Sequence, residues 1–257
     1  MLGRSSIRKN IHQQIVHELA TRIISGEIAA GEILATEDIA SANMDVSRTA
    51  YREAIKVLTA KGLLESRPKV GTRVRDRAKW NMLDPDILLW ASELGSTTAF
   101  ADALFEFRQI IEPAAARLAA EKGSTAQKEC IRDALTKMAT TEPATRENVK
   151  ADLEFHAAIL RASGNELLSS LNHVVEALLA RSFAISSRRP DARETSIPLH
   201  QAVCEHIERG QGAQAQSAMA TLLSSARDDI DKVMKSSSEF LIDHTENAAG
   251  NIAPGRL

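Results

Sequence analysis

The sequence predicts a mostly α-helical protein in two parts: a small N-terminal head of three helices and a β-hairpin, then a C-terminal all-α helical bundle. Three observations predict it. Ala and Leu abound while only 4 % of the 257 residues are aromatic, which favours helix. Apolar residues recur at helical spacing along most of the chain, and the clearest departure is "LLESRPKVGTRV", two strand-like runs around a turn with Pro and Gly. The charge also divides. Residues 1–78 hold 13 Lys and Arg against 9 Asp and Glu, whereas the remainder holds 19 against 25. A basic head on an acidic body points to a polyanion as partner for the first part alone.

The elements of the head follow in order. Ile15, Leu19 and Ile23 mark an amphipathic helix over 11–25 that stops at Gly26. After the connector "EIAAGEIL", Thr36 is placed to cap a second helix, "EDIASAN". The turn "MDV" follows, and Ser47 is placed to cap a third helix that runs to Lys61 and ends at Gly62. With the hairpin, this order is that of a winged helix-turn-helix. The stretch "WNMLDPDILLW" carries both tryptophans, Trp80 and Trp90, and reads as a linker that docks through its large apolar groups. Beyond it, helices are expected at 98–122, 125–141, 146–163, 165–187, 197–209 and 212–235, separated by Gly and Pro breaks. The expected domains are therefore a flexible arm at 1–10, the DNA-binding head at 11–78, a linker at 79–97, the bundle at 98–235 and a disordered tail at 236–257.

Composition excludes some classes. No stretch approaches the ~18 apolar residues of a membrane span, and the basic N-terminus has no apolar run behind it to make a signal peptide. Cys130 and Cys204 lie in helical patterns far apart, which suits reduced core thiols in a cytoplasmic protein.

Two constellations carry chemistry. On the third helix Arg48, Arg52 and Lys56 recur every four residues and share one face, while Tyr51, Ala54, Ile55 and Leu58 form the opposite, apolar stripe. In a helix-turn-helix this helix enters the major groove of double-stranded DNA with its N-terminal residues toward the bases. Arginine forks suit guanine edges and phosphates, and Ser47 and Thr49 add hydroxyls. Lys56 suits the backbone, and the wing offers Arg67, Lys69, Arg73 and Arg75, with Gly71 permitting close approach. The plainer alternative is a solvated face, but such a face mixes in Glu for pairing, and Glu53 falls off the cationic stripe.

In the bundle, "ADLEFHAAI" puts Asp152 and His156 four residues apart on one helix face, and His200 begins a later helix. Three such groups suit a divalent metal: Zn, Ni or Mn. By spacing alone Asp152 and His156 equally suit a surface pair, and His173 and His206 are alternative ligands. Arg108 suits a surface pair with Glu112, and Asn165 a helix cap.

The stretch "LATEDIASANMDVSRTAYREAIKVLTAKGLLESRPKVGTRV" resembles the DNA-binding domain of the GntR family of bacterial transcription regulators, through Leu34, Glu37, Val46-Ser47-Arg48, Arg52-Glu53-Ala54, Gly62-Leu63, Gly71-Thr72 and Val74. The resemblance implies DNA contacts at Ser47, Arg48, Thr49, Arg52 and Gly71; Asp38 stands where some relatives carry a DNA-contacting Arg. The segments "FRQIIEPAAARLAA", "DLEFHAAILRASGNELL" and "LHQAVCEHIERGQGAQAQSAM" are similar to the FCD effector domain of the FadR subfamily. That resemblance implies a metal on Asp152, His156 and His200, with Leu222 where many relatives have a further His, and an effector carboxylate paired with Arg108. The stretch from Trp80 to Trp90 is similar to that of the sugar-acid regulators, the galactonate-repressor type in particular. It implies a repressor, not an enzyme, released from its operator by a galactonate-like aldonate; because one reading helix covers only a half-site, a homodimer is expected. The alternatives are a metal-dependent hydrolase fused to a DNA-binding head and a metal-responsive regulator.

Overall fold

The computed structural model describes residues 3–94, 98–143, 145–176 and 192–249. It comprises two compact units, Met1–Thr98 and Ala99–Leu257. In the first, α1 (Gly3–Ile24) buries Ile15, Val16, Leu19, Ala20 and Ile23, the residues that recur at i, i+3 and i+4. They pack against Tyr51, Ala54, Ile55 and Leu58 of α3 (Arg48–Ala60), the apolar stripe read from the sequence. The short α2 (Glu37–Asn43) precedes α3, joined by a turn in which Asp45 takes a positive φ of 51°. Each fully buried Leu or Ile of this core contributes roughly 1.5–3 kcal/mol.

The wing is an antiparallel pair, β1 (Leu64–Arg67) and β2 (Gly71–Val74), in register from Leu64 opposite Val74 to Arg67 opposite Gly71. Gly71 has φ +104°, a conformation closed to other residues, and it starts β2 beside the turn. Ile33 bridges to Arg73, so the connector after α1 borders the hairpin as an edge.

Three expectations for the head are corrected. Residues 1–10 do not form a flexible arm over their whole length: the backbone is helical from Gly3 onward, continuous with α1. Thr36 occupies the N-cap of α2, but its side chain makes no cap bond. The stretch 79–97 is no mere linker. Trp80 and Trp90 are buried in the head's own core, and Pro85–Glu93 form a helix, α4. Asp84 caps α4 by accepting from the N–H groups of Asp86 and Ile87, with Pro85 at the first turn. Lys61, at the end of α3, reaches Asp84 at 2.9 Å and Asp86 at 2.6 Å, and the Trp80 indole N–H donates to the Arg75 carbonyl at 2.9 Å. A single cation with two carboxylates thus fastens α4 to the end of α3.

The described elements of the second unit are all helices: α5 (Thr98–Lys122), α6 (Thr125–Thr140), α7 (Arg146–Ala162), α8 (Glu166–Ser170), α9 (Ala192–Glu208) and α10 (Gly212–Ala249). Small residues let α5 approach its neighbours: Ala115, Ala116, Ala119 and Ala120 share a core with Phe155, Ile159, Val203, Ile207 and Met219. Gly123 ends α5 where an added Cβ would stand 2.5 Å from the Ala119 carbonyl, so no larger residue fits. Of the helix expected at 165–187, Glu166–Ser170 are α8 and 172–176 are helical after a turn, while 177–191 lie outside the described residues. The last two helices overrun their expected ends. Pro198 sits inside α9, which starts at Ala192, and α10 continues to Ala249 through the segment expected as a disordered tail. Cys204 is buried, but Cys130 is exposed, which corrects the reading of both as core thiols.

Candidate functional site

Ser47 caps α3 by accepting from the Ala50 N–H at 3.1 Å, which fixes where the helix begins. Ser47, Arg48, Thr49, Arg52 and Lys56 are all exposed, as are Lys69 and Gly71 at the wing turn. Lys69 holds a positive φ of 65° there, its side chain at the tip of the hairpin.

The cations of the reading helix are not free of acids. Arg48 Nη1 lies 2.8 Å from Asp38, and Arg52 grips Glu37 through Nε at 3.0 Å and Nη2 at 2.6 Å. Lys56 Nζ meets Glu53 at 2.8 Å, so the reading of Glu53 as off the stripe is corrected: at i−3 it still reaches the lysine. Its hydrogen bond to Arg52 holds the Glu37 carboxyl below the ordinary range. In the wing, Glu65 pairs with Arg73 and lies 3.5 Å from Arg67. On the helix Arg48 and Asp38 are 68 % and 65 % exposed and Arg52 and Glu37 are 56 % and 41 % exposed, so each pair gains little and is broken at little cost.

The second constellation is buried. Asp152 and His156 on α7 and His200 on α9 are each under 5 % exposed, and one donor atom from each lies within 4.8 Å of the others. Asp152 Oδ1 is 3.0 Å from His200 Nε2 and 3.8 Å from His156 Nε2. Neighbouring donors on a tetrahedral zinc with bonds of 2.0–2.1 Å stand about 3.3 Å apart, within this range. The Nδ1–H of His200 donates to the Ser196 carbonyl at 2.8 Å, which leaves Nε2 with its lone pair inward. That nitrogen is buried and makes no hydrogen bond despite its closeness to the carboxylate. A bare nitrogen facing a carboxylate oxygen is what a cation between them relieves. The Phe155 ring stands edge-on to both imidazoles, at 5.6 Å and 5.1 Å, and walls the site.

Arg108 is no surface residue. It is 2 % exposed and bonds Glu112 through Nε at 2.5 Å and Nη2 at 3.5 Å, and Glu112 in turn meets His156 Nδ1 at 2.5 Å. Glu112 thus joins the residue read as the effector's anchor to a residue read as a metal ligand. Burial raises the Glu112 carboxyl, yet Arg108 and His156 outweigh this and bring it down to about 2. Leu222 is buried in the core with Phe155 and offers no ligand. His206 instead meets Gln211 at 2.7 Å, and Asn165 caps α8.

Residues 11–74 match the bacterial regulatory proteins of the gntR family, and 103–225 match the FCD domain. The HTH-type transcriptional regulator YieP of Escherichia coli (strain K12) is 33 % identical over 85 % of this chain and 94 % of its own length. The chain belongs to the GntR family. Within it, the galactonate operon transcriptional repressor of E. coli is 29 % identical over 84 % of this chain and 95 % of its own. The HTH-type regulator LutR of Bacillus subtilis is 34 % identical over 72 % and 85 %. The solved structure of Lar, which controls expression of the Listeria monocytogenes agr system, has the same fold, with a TM-score of 0.58 over 86 % of this chain and 96 % of that one at 18 % identity. These GntR relatives are transcriptional regulators, not enzymes, so this GntR chain is a regulator and the hydrolase reading falls. No described helix is long and apolar enough to cross a membrane.

Sequence reasoning missed that Glu112 lies buried between Arg108 and His156. A signal was present: Phe105, Arg108, Glu112, Ala115 and Ala119 follow the i, i+3, i+4 rhythm of a buried face. An ion pair on that stripe is buried with it.

Proposed function

We propose that the protein is a homodimeric repressor of sugar-acid catabolism genes that leaves its operator when an aldonate binds the bundle. The observation that carries the reading is the buried trio Asp152, His156 and His200, with the His200 nitrogen bare beside a carboxylate. With the imidazoles counted as neutral, the buried Arg108, Glu112 and Asp152 carry one negative charge in excess; a divalent cation turns this into one positive charge, which the carboxylate of a bound aldonate balances. Asp152, His156 and His200 would hold the cation; zinc, nickel and manganese all accept such a donor set. When bound with only three protein ligands, the metal supplies open positions for the carboxylate and 2-hydroxyl of an aldonate. The kinship with the galactonate repressor supports that class of effector.

Arg108 presents one edge of its fork to Glu112, and Nη1 lies outside that pair, available for the effector's carboxylate. In the head, Arg48 and Arg52 read bases from the first turns of α3, Ser47, Thr49 and Lys56 hold phosphates, and Lys69 and Gly71 bring the wing to the backbone. Two reading helices in a dimer match a two-fold operator. A thermal-shift screen of hexonates with and without divalent metals tests the reading, because a ligand of the folded state alone raises its stability. Stabilisation by an aldonate only in the presence of metal is expected. A shift and DNA release with metal alone would favour the metal-responsive regulator, which the same trio allows.

A further inference from the structure

The two imidazoles of the buried trio are oriented alike, from different sides. His200 directs Nδ1 to the Ser196 carbonyl, one turn back on its own helix, and so presents Nε2 inward. His156 directs Nδ1 to Glu112, 44 residues away on α5, and its Nε2 faces Asp152. A carbonyl oxygen and an ionised carboxylate are both acceptors only, so each selects the same imidazole tautomer. Arg108 engages both Glu112 oxygens and holds the carboxylate in place. All four groups are 4 % exposed or less, so water does not compete.

We infer that Glu112 is a positioning residue for the metal: it keeps His156 protonated at Nδ1 with Nε2 bare toward Asp152, and Arg108 fixes the Glu112 carboxylate for that task. This inference rests on the reading of Asp152, His156 and His200 as metal ligands. It differs from a merely structural ion pair in one respect. A pair that only stabilises the fold leaves the zinc affinity of the folded protein unchanged when it is altered, whereas a positioning carboxylate, by fixing the His156 tautomer, changes it.

Glu112→Gln separates the two. The amide has one acceptor oxygen where the carboxylate serves two donors. The guanidinium, being charged, takes that oxygen, and the NH2 turns to His156 as a donor, which selects the opposite tautomer and protonates Nε2. Zinc affinity, measured by equilibrium dialysis against a competing chelator, is expected to fall ten- to a hundredfold. In ¹⁵N–¹H correlation spectra of the metal-free protein, His156 is expected as the Nδ1–H form in the parent and the Nε2–H form in Glu112→Gln. Glu112→Asp keeps the charge on a shorter arm and should restore the Nδ1–H form with part of the zinc affinity, and it carries the test should Glu112→Gln fail to fold. A folded Glu112→Gln that binds zinc as tightly as the parent, or a parent with His156 in the Nε2–H form, overturns the inference. A parent that binds no zinc, nickel or manganese overturns the metal reading instead, and the tautomer spectra still decide the role of Glu112.

Discussion

The two charged constellations of this chain invite comparison because they use the same groups under opposite conditions. On the reading helix, Arg48 and Arg52 face Asp38 and Glu37 in water, with more than half of most of these side chains exposed. In the bundle, Arg108 faces Glu112 with both side chains at 3 % exposure or less. An exposed pair gains little and gives up its partner at little cost, as a group that must meet DNA requires. A buried pair forgoes hydration on both sides, and breaking it strands a charge. The head therefore pairs its cations loosely with nearby acids, and the bundle holds its charges in fixed places around Asp152, His156 and His200.

The largest expected effect follows from the buried side. Arg108→Ala leaves the buried Glu112 carboxylate without its cation, held by His156 alone, and should lower unfolding free energy in urea by about 3–5 kcal/mol. A loss within the scatter of surface substitutions would break the contrast. Next in size, Arg48→Ala and Arg52→Ala should each weaken operator binding roughly 5- to 150-fold in anisotropy titrations, with unchanged unfolding midpoints. If both variants bind as the parent does, α3 is not the reading helix.

Smaller still are the carboxylates opposite them. Asp38→Asn and Glu37→Gln should leave the unfolding midpoint where it is. Each frees a guanidinium for phosphate, so each should tighten binding to non-operator DNA and steepen the log–log salt dependence by about 0.9. A weaker, salt-insensitive complex would mean that the acids position the arginines rather than occupy them. The smallest test concerns thiols. Burial and Glu208 push the Cys204 thiol up to about 12, whereas Cys130 is exposed. Since only the thiolate reacts, one thiol per native chain should label at pH 8 and the second only after unfolding. Rapid labelling of both would contradict the burial of α9.

Much of the fold was legible because periodicity is a local property. The apolar stripes of α1 and α3, the Ser47 cap and the hairpin around Pro68 all lie within a few residues of one another in sequence. The trio was legible in part: Asp152 and His156 share a turn of helix, but their burial and the approach of His200 depend on packing. What was not legible is pairing across elements. The acids that meet Arg48 and Arg52 come from α2, 10 and 15 residues upstream, and no inspection of α3 alone finds them. Glu112 was visible as the i+4 neighbour of Arg108, but its bond to His156 spans 44 residues. The linker misled for a related reason. Its tryptophans promised docking, and their partner proved to be the core of the head from which they extend.

The most direct test joins both regions in one assay. A duplex selected from random sequence by the protein is labelled, and its release is followed by anisotropy while galactonate is added to zinc-loaded and to metal-stripped protein. The account predicts release by galactonate from the zinc-loaded protein and none from the stripped protein, with Asp152→Ala behaving as stripped. DNA binding that no aldonate alters, with metal or without it, would contradict it.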